Sequence, residues 1–325
     1  MTNINKYNNI KYDYVIFHRK CLDGFTGFII LHNTKKILKN ALIYPDVPSA
    51  VVSPPNIYNK NIIIIDVAYK YNVLRDIVLK AKSVTFIDHH ITIHDDVKKI
   101  AKEFSHKNLS IIYDEHKSGA TLVWDYFYPK KPRPLFIQFI EDNDIGKWKI
   151  PNVYEFITAL HVKYPINLKP DTVKMWSKLY KLSTIKKLIT LGKTYMEYKN
   201  YISEEHSKRF SMQRFPSEKL YSQNTDIFKS PGQYKVAVYC GSPCPASSDV
   251  AKLIFKNNNC DFFMSWVLNL DRKEFVFTFR SEKVDVGQIA KIFNGGGHKL
   301  ASAGSIKMNK FDIRELFFGE SLPRN

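Results

Sequence analysis

The sequence has few residues of the kinds that mark specialised protein classes. Its four cysteines, Cys21, Cys240, Cys244 and Cys260, lack the paired CxxC spacing of a structural zinc site. Four cysteines in 325 residues also do not make a disulfide framework, so free thiols in a reducing compartment are expected. With 13 glycines and 15 prolines, the chain is neither collagen-like nor of low complexity.

Long apolar runs are also missing. Runs such as Ile62–Ile65 and Val15–Phe17 are far shorter than the ~18 residues that a membrane span needs. Residues 1–12 are polar and carry no apolar signal-peptide core. A hydrophobic fraction of 44 % still allows a packed core, which excludes a disordered chain. We therefore expect a soluble, cytoplasmic protein that does not act at membranes.

Acidic residues are outnumbered, with 31 Asp and Glu against 49 Lys and Arg, a formal net charge of +18. Such a charge favours a polyanionic partner, because Lys and Arg attract phosphates over a Debye length. A second explanation is compositional, since the abundance of Lys, Asn, Ile and Tyr is typical of an AT-rich genome. Charge alone does not separate the two, so a function has to be argued from a site.

The first half of the chain alternates strands with helices. This order over residues 10–150 predicts an α/β layer fold with a mostly parallel sheet. The predicted strands are residues 14–17, 61–66 and 83–87, and the predicted helices are residues 25–32, 71–81, 118–126 and 135–141.

The second half predicts a helical segment followed by a smaller α/β domain. Residues 172–209 have helical character, and residues 262–268 and 274–280 have the pattern of a β pair. Strands and helices extend over about 230–316. The predicted organisation is a domain of residues 1–180, a helical linker of 181–229 and a second domain of 230–325, in agreement with two domains expected from length.

Ionisable residues stand at the ends of the predicted strands in the first domain. His18 follows the first strand, with Asp23 five residues on; Asp66 ends the second, and Asp88-His89-His90 ends the third. Ligands of open parallel sheets bind beyond the carboxyl ends of the strands. Clustered carboxylates repel one another unless a cation lies between them, and mixed Asp and His donors suit Mn, Fe or Zn better than Ca. A single residue such as Asp66 is equally explained as a helix cap.

Several motifs resemble those of the DHH phosphoesterases. Asp88-His89-His90 is similar to the family signature. The others are His18–Gly24 for the first motif, Ile62–Asp66 for the second, Phe139–Asp144 for the fourth, and Asn294–Gly304 for the GGGH element of the DHHA1 domain. Together, in this order, they make a specific signal.

The resemblance implies a DHH-type catalytic domain in residues 1–180 with a dinuclear metal site, commonly two Mn²⁺. The implied metal ligands are His18, Asp23, Asp66, His89 and Asp142. Asp66 would bridge the two ions, His90 would lie beside the scissile phosphate, and Asp88 would orient the histidines. In a DHHA1-like domain of residues 230–325, the implied substrate-binding residues are Arg280, Gly295, Gly296, Gly297 and His298.

Two positions leave alternatives open. Cys21 stands where the family has the first aspartate of a D-x-D pair. As a thiolate ligand it would favour Zn²⁺ or Fe²⁺, whereas as a buried apolar residue it would contribute nothing to the metal. In the fourth motif Asp142 is the predicted ligand, but Asp144 lies on the same face if the segment is extended.

The resulting prediction is a divalent-metal-dependent phosphodiesterase, an exonuclease-like hydrolase of short oligonucleotides or related nucleotides. The alternatives are a nucleic-acid-binding protein without turnover and an exopolyphosphatase. Lys208, Arg209, Phe210, Arg214 and Phe215 combine charge and aromatic rings that can hold a strand, although an ordinary exposed helix end is the favoured explanation. Monomer and dimer both stay open.

Overall fold

The structure is a computed structural model that describes residues 10–48, 50–104, 108–243, 246–310 and 312–323. The chain divides into two compact units, Met1–Met196 and Glu197–Asn325. Cys21, Cys240 and Cys260 are free thiols, whereas Cys244 and most of residues 1–12 lie outside the described residues. In the described segments, no helix is both long enough and apolar enough to cross a membrane.

The first unit is built on a five-stranded parallel sheet in the order β2-β1-β3-β4-β5. Its strands are β1 (Tyr12–His18), β2 (Ile37–Asp46), β3 (Asn61–Ile65), β4 (Ser83–Asp88) and β5 (Leu109–Tyr113). Its helices are α1 (Leu22–Asn33), α2 (Tyr71–Lys80), α3 (His94–Glu103), α4 (Gly119–Phe127), α5 (Leu135–Asp144), α6 (Val153–Lys163) and α7 (Pro170–Trp176), followed by α8 (Leu182–Ser207), which runs into the second unit.

The central strands are buried on both faces of this sheet. Successive side chains of a strand point to opposite faces, so β3 supplies Ile63 and Ile65 to one core and Ile62 and Ile64 to another. The first core contains residues of α1, α4, α5 and α6, and the second contains residues of α2 and α3. The result is a three-layer α/β unit, the arrangement in which continuous β-branched runs such as β3 occur.

The strand order places a topological switch point between β1 and β3. From β1 the chain crosses through α1 to β2 on one side, whereas β3, β4 and β5 continue on the other. The crossovers lie on opposite faces, which leaves a crevice beyond the carboxyl ends of β1 and β3. His18 and Asp66 stand at those two ends.

The second unit contains a seven-stranded sheet in the order β10-β11-β9-β8-β7-β6-β12. Its strands are β6 (Ser211–Phe215), β7 (Tyr234–Cys240), β8 (Phe262–Asn269), β9 (Glu274–Ser281), β10 (Gly296–His298), β11 (Ala301–Lys307) and β12 (Phe318–Leu322). Its helices are α9 (Glu218–Ser222), α10 (Ser247–Asn257) and α11 (Val286–Ile292). Among the described strands of this second sheet, only β7 and β8 pair in parallel.

The predicted fold class is confirmed, with differences at the sheet edges and in the linker. β2 and β5 were not predicted, because an edge strand is only partly buried and its apolar pattern is interrupted, as Lys39 and Asn40 interrupt β2. The predicted linker of residues 181–229 is not helical throughout, because α8 ends at Ser207. It continues as β6, which pairs with β7 and so belongs to the second sheet. Pairing between distant segments leaves no local sequence signal.

Candidate metal centre

Three adjacent strands bring their terminal residues to one level. Phe17 of β1 lies opposite Ile65 of β3, and Ile65 lies opposite Ile87 of β4. The next residues along the three strands are His18, Asp66 and Asp88. Parallel register therefore assembles the polar strand ends that the sequence separates by dozens of residues, as predicted.

Asp66 lies at the middle of this assembly. It is 1 % exposed and has a φ of 60°, a left-handed conformation that is uncommon for residues other than glycine. Its Oδ2 lies 3.4 Å from Nδ1 of His18, and its Oδ1 lies 3.2 Å from Nε2 of His89. Both carboxylate oxygens are buried and lack a hydrogen-bond donor in the described chain. The backbone thus holds a strained residue so that its two oxygens face different histidines.

Two groups of potential ligand atoms share this carboxylate. One group consists of His18, Asp66 and His90, and the other of Asp23, Asp66 and His89; the ligand atoms in each lie within 4.8 Å of one another. Nδ1 of His18 and Nε2 of His89 are, like the Asp66 oxygens, buried without a hydrogen-bond partner among the described residues. Buried polar atoms are normally satisfied, so these unpaired oxygens and nitrogens fit a cation bound between them.

Asp23 is held by the N-terminus of α4. The backbone N–H of Gly119 donates to Oδ2 of Asp23 at 2.6 Å, and that of Ala120 donates to Oδ1 at 3.0 Å. A Cβ atom on Gly119 would lie 2.8 Å from Oδ2 of Asp23 and 2.9 Å from Cβ of Asp66. Gly119 therefore lets the helix end approach both carboxylates. Sequence reasoning missed it, although the Ser118-Gly119 pair that opens the predicted helix was the available signal.

Asp88 contacts the second histidine of its own triplet. Its Oδ1 accepts hydrogen bonds from Nδ1 of His90 at 2.9 Å and from the backbone N–H groups of His89 and His90 at 2.7 and 2.9 Å. The carboxylate places the imidazole proton on Nδ1 and sets the ring orientation. This geometry is the one expected of an orienting residue.

Of the two acids of the fourth motif, Asp144 rather than Asp142 lies next to the cluster. Oδ2 of Asp144 lies 3.3 Å from Nε2 of His89. Asp142 is 4 % exposed, but its Oδ2 accepts a hydrogen bond from the backbone N–H of Ile150 at 3.0 Å. The segment is helical, so residues two apart point in different directions and cannot share a face. The structure therefore brings Asp144, and not the predicted Asp142, against His89. Which of the two binds a metal stays a prediction.

Cys21 lies beside the cluster without joining either ligand group in the described chain. It occupies the N-cap position of α1, and its thiol makes no capping hydrogen bond. Burial, followed by the charges of Asp66 and Asp23, raises the pKa of this thiol. These observations favour a neutral thiol in the metal-free protein; whether it binds a metal stays a prediction.

The cluster has unusual electrostatics. Burial and the Asp66 carboxylate raise the pKa of Asp144 to about 6, and burial with the charges of Asp66 and Asp144 raises that of Asp23 well above its usual range. Burial opposes ionisation of Asp66, but His18 and His89 outweigh it and lower its pKa to about 2. Burial likewise lowers the pKa of His89, whereas Asp66 and Asp23 raise it to about 9. The ionisation of each of these acids therefore depends on the positive charge near it.

A divalent cation fits these donors. In the described part of the chain, no Lys or Arg nitrogen lies within 4.0 Å of the carboxylates of Asp23, Asp66, Asp88 or Asp144. Only histidines pair with them, so the negative charge is not balanced when those rings are neutral. Carboxylate oxygens and imidazole nitrogens together suit Mn, Fe or Zn. The fit supports a metal centre and does not decide which metal binds.

The predicted substrate-binding residues lie in the second unit. In the antiparallel sheet, Ala301 of β11 is opposite Arg280 of β9 on one side and His298 of β10 on the other. The side chains of Arg280 and His298 therefore lie on the same face of the sheet. Arg280 is partly buried, and Nη1 donates to the carbonyl oxygen of Phe279 at 2.7 Å. His298 is exposed.

The three glycines before His298 are not equivalent. A Cβ on Gly295 would lie 2.0 Å from the carbonyl oxygen of Ala303, and one on Gly297, whose φ is 141°, would lie 2.8 Å from that of Ala301. Backbone packing alone therefore requires these two glycines. A Cβ on Gly296 would meet nothing within 4 Å, so this glycine leaves open space beside the strand.

The basic and aromatic segment after α8 does not form a stacking surface. Phe210 and Phe215 are buried in the two cores of the second unit, at 5 % and 0 % exposure. Nζ of Lys208 pairs with Glu205 at 2.5 Å. The ordinary structural explanation of this segment is thus supported.

Comparison with known proteins shows the fold. No protein-family model matches the sequence. The uncharacterized protein R106 of Acanthamoeba polyphaga mimivirus is 29 % identical over 311 residues, which are 91 % of this chain and 68 % of that protein. The structure of a pGpG-specific phosphodiesterase, PggH from Vibrio cholerae, matches with a TM-score of 0.50 and 13 % identity over 92 % of this chain and 95 % of that one. An exopolyphosphatase-related protein from Bacteroides fragilis matches less well, with a TM-score of 0.41 and 13 % identity over 94 % of this chain and 89 % of that one.

The match to the phosphodiesterase structure defines a class of fold and leaves the activity open. The chain shares the α/β architecture of the phosphodiesterase, with a parallel sheet in its first part and a second sheet unit after it. At 13 % identity the match supports the fold alone. Membership of the DHH phosphoesterases and the roles of individual residues stay predictions.

Proposed function

We propose that this protein is a divalent-metal-dependent phosphodiesterase that hydrolyses short oligonucleotides or related nucleotides. The observation that carries the proposal is the buried Asp66 carboxylate, whose two oxygens face different histidines and lack hydrogen-bond donors in the described chain. Asp66 belongs to both candidate ligand groups, so it would hold an ion in each of them. The fold shared with a phosphodiesterase is consistent with the proposal.

In the proposed site, His18, Asp66 and His90 would hold one ion, and Asp23, Asp66, His89 and Asp144 the other. Two bound ions would lower the pKa of a bound water molecule. They would also place positive charge beside the phosphoryl oxygens. The protein contributes the arrangement. The amides of Gly119 and Ala120 fix Asp23, and Asp88 keeps the proton of His90 on Nδ1, which leaves the lone pair of Nε2 free for an ion.

The second unit is proposed to bind the substrate. Arg280 and His298 lie on one face of its sheet and offer N–H groups to phosphate oxygens. The open space at Gly296 allows a ligand to approach the backbone of β10. A nucleotide substrate explains why an arginine, a histidine and an exposed strand lie at one place.

An intracellular location of the protein stays a prediction.

The test uses the full-length chain, stripped of metal with a chelator and reloaded with Mn²⁺, Zn²⁺, Fe²⁺ or Co²⁺. Oligonucleotides of graded length, a model phosphodiester and polyphosphate are the substrates. We expect mononucleotide release from short oligonucleotides with at least one of these metals and none in the chelator. Product size then shows whether digestion proceeds from an end.

Two results would contradict the proposal. If no metal supports hydrolysis, and DNA or RNA nevertheless binds tightly and in a salt-sensitive manner, the protein is a nucleic-acid-binding protein without turnover. If phosphate is released from polyphosphate while oligonucleotides stay intact, it is an exopolyphosphatase. If Asp66→Asn hydrolyses the model diester at the wild-type rate, the metal-bridging role proposed for Asp66 is refuted, even if the wild-type protein is an active phosphodiesterase.

A further inference from the structure

A pair of aromatic rings is exposed on the surface of the first unit. Trp148 and Tyr154 stack with ring centroids 4.1 Å apart and planes inclined by 9°. Trp148 is 36 % exposed and Tyr154 50 %, whereas Trp124 and Trp176 are buried at 6 % and 0 %. Large aromatic side chains are usually placed where their area is buried, so two stacked rings in solvent need an explanation.

The loop that carries Trp148 is fixed by the preceding helix. The carbonyl oxygen of Asp142 accepts hydrogen bonds from the backbone N–H groups of Lys147 and Trp148 at 3.0 and 3.3 Å. The Asp142 carboxylate accepts the bond from Ile150 described above. Trp148 itself has a φ of 51°, a conformation that a bulky residue adopts only where its surroundings impose it. Asp142 thus holds the loop with the tryptophan in place.

Positive charge flanks the exposed ring. Lys147 and Lys149 are both exposed, and neither has an ion-pair partner among the acidic side chains that the structure describes. The first unit as a whole contains 30 of the 49 basic residues and 17 of the 31 acidic ones. An apolar protein partner would leave these two ammonium groups unpaired, whereas the phosphates of a nucleic acid strand pair with them.

The aromatic pair also lies near the proposed metal centre. Trp148 follows Asp144 by four residues, which limits their Cα separation to at most about 14 Å. Oδ2 of Asp144 contacts His89 within the cluster. A strand whose phosphate is at the metal centre therefore has neighbouring nucleotides within reach of the loop.

We infer that the Trp148–Tyr154 pair binds a base of single-stranded nucleic acid by stacking, with Lys147 and Lys149 contacting adjacent phosphates. The inference rests on the proposed function, because it extends the same substrate beyond the scissile phosphate. Every nucleobase has a π face, so this site contributes affinity without sequence preference. It also makes the substrate a strand rather than an isolated phosphate compound.

The test measures binding of a fluorescein-labelled oligonucleotide, and of an abasic strand of equal length, by anisotropy in excess chelator. Stacking of a base is worth about 1–3 kcal/mol, so Trp148→Ala is expected to weaken binding of the oligonucleotide about 5- to 150-fold. Binding of the abasic strand is expected to stay unchanged. Trp148→Phe keeps a ring and should retain most of the affinity. The matched control is Tyr58→Ala, which removes another exposed ring of the first unit, 79 % exposed, and should bind like the wild type.

Two further variants secure the result. Trp148→Leu keeps an apolar side chain but no ring, and should lose affinity as Trp148→Ala does, even if the alanine variant has a lowered melting temperature. Replacing both Lys147 and Lys149 by alanine should reduce the salt slope of binding by up to about 1.4, or ~0.7 for each phosphate contact.

The inference is overturned if Trp148→Ala and Trp148→Leu bind the oligonucleotide like the wild type, or if they lose the abasic strand equally. Because all binding is measured in chelator, hydrolysis plays no part in the outcome. A chain that binds through Trp148 but never hydrolyses would refute the phosphodiesterase proposal alone. A chain that hydrolyses oligonucleotides while Trp148 has no effect would refute the stacking site alone.

Discussion

The acidic cluster of the first unit and the glycine-rich strand of the second were both predicted as functional motifs, but their structural requirements differ. Packing explains Gly295 and Gly297, because a side chain at either would collide with backbone. No comparable structural need explains the carboxylate of Asp66, whose two oxygens are buried without donors in the described chain. A residue that is costly to bury and unsatisfied is stronger support for a ligand than a glycine in a tight strand.

The largest effect is expected at the centre of the cluster. Asp66→Asn removes a charge that both ligand groups share and should lower turnover at least about a thousandfold, since metal ions supply several kcal/mol to such reactions. Nucleotide binding should change little. Steady-state kinetics and calorimetric titration with a nucleotide measure the two effects. Asp76→Asn, at a surface carboxylate that pairs with Lys80, is the control and should keep the wild-type rate; equal rates for both variants would refute the assignment.

Two glycine variants compare the regions directly. Gly119→Ala pushes a methyl group against Asp23 and Asp66 and should destabilise the protein by about 1–3 kcal/mol while weakening Mn²⁺ binding. Gly296→Ala adds its methyl group in open space and should change stability by less than about 0.5 kcal/mol. Urea denaturation of the metal-free proteins measures both. Equal stabilities would mean that the helix end can retreat from the carboxylates at no cost.

The fourth motif provides a matched pair of acids. Asp144→Asn should weaken Mn²⁺ binding about tenfold or more, because its carboxylate contacts His89. Asp142→Asn keeps an oxygen for the N–H of Ile150 and should bind the metal like the wild type. Calorimetry on both variants decides between them, and a larger loss for Asp142→Asn would restore the original prediction.

The smallest of these effects is expected in the second unit. Arg280→Ala removes charge-assisted hydrogen bonds to substrate and should raise KM about tenfold with little change in kcat. Arg280→Lys, which keeps the charge but not the planar fork, should give an intermediate KM. Kinetics with a short oligonucleotide measure these values. An unaltered KM for Arg280→Ala would show that Arg280 does not bind the substrate.

The parts of the fold that were predicted are those with strong local patterns. β3 and β4 are runs of buried, mostly β-branched or aromatic residues, and the acids that follow them were found from the sequence. The edge strands β2 and β5 were missed because partial burial leaves little apolar signal. Asp142 and Asp144 would share a face in an extended segment, but in the helix α5 they point in different directions, and Asp144 is the one beside His89.

Other features of the site have no local pattern. Gly119 matters because its amide reaches Asp23, 96 residues away, and the stacking of Trp148 on Tyr154 depends on the loop between α5 and α6. In sequence, the basic and aromatic residues near position 210 match the pattern of a stacking site better than the segment of Trp148 does. Both of their rings, Phe210 and Phe215, are nevertheless buried in the core. Composition indicates which side chains are present, and packing decides which of them face solvent.

By itself, the sequence determined that strands end in acids and histidines and that a parallel sheet would bring those ends together, because hydrophobic runs and their termini are local properties. Only the tertiary structure decided which of these groups share Asp66, which aspartate of the fourth motif reaches His89, and which aromatic ring stays exposed. Those outcomes depend on contacts between segments far apart in the chain, and such contacts are set by packing over the whole unit.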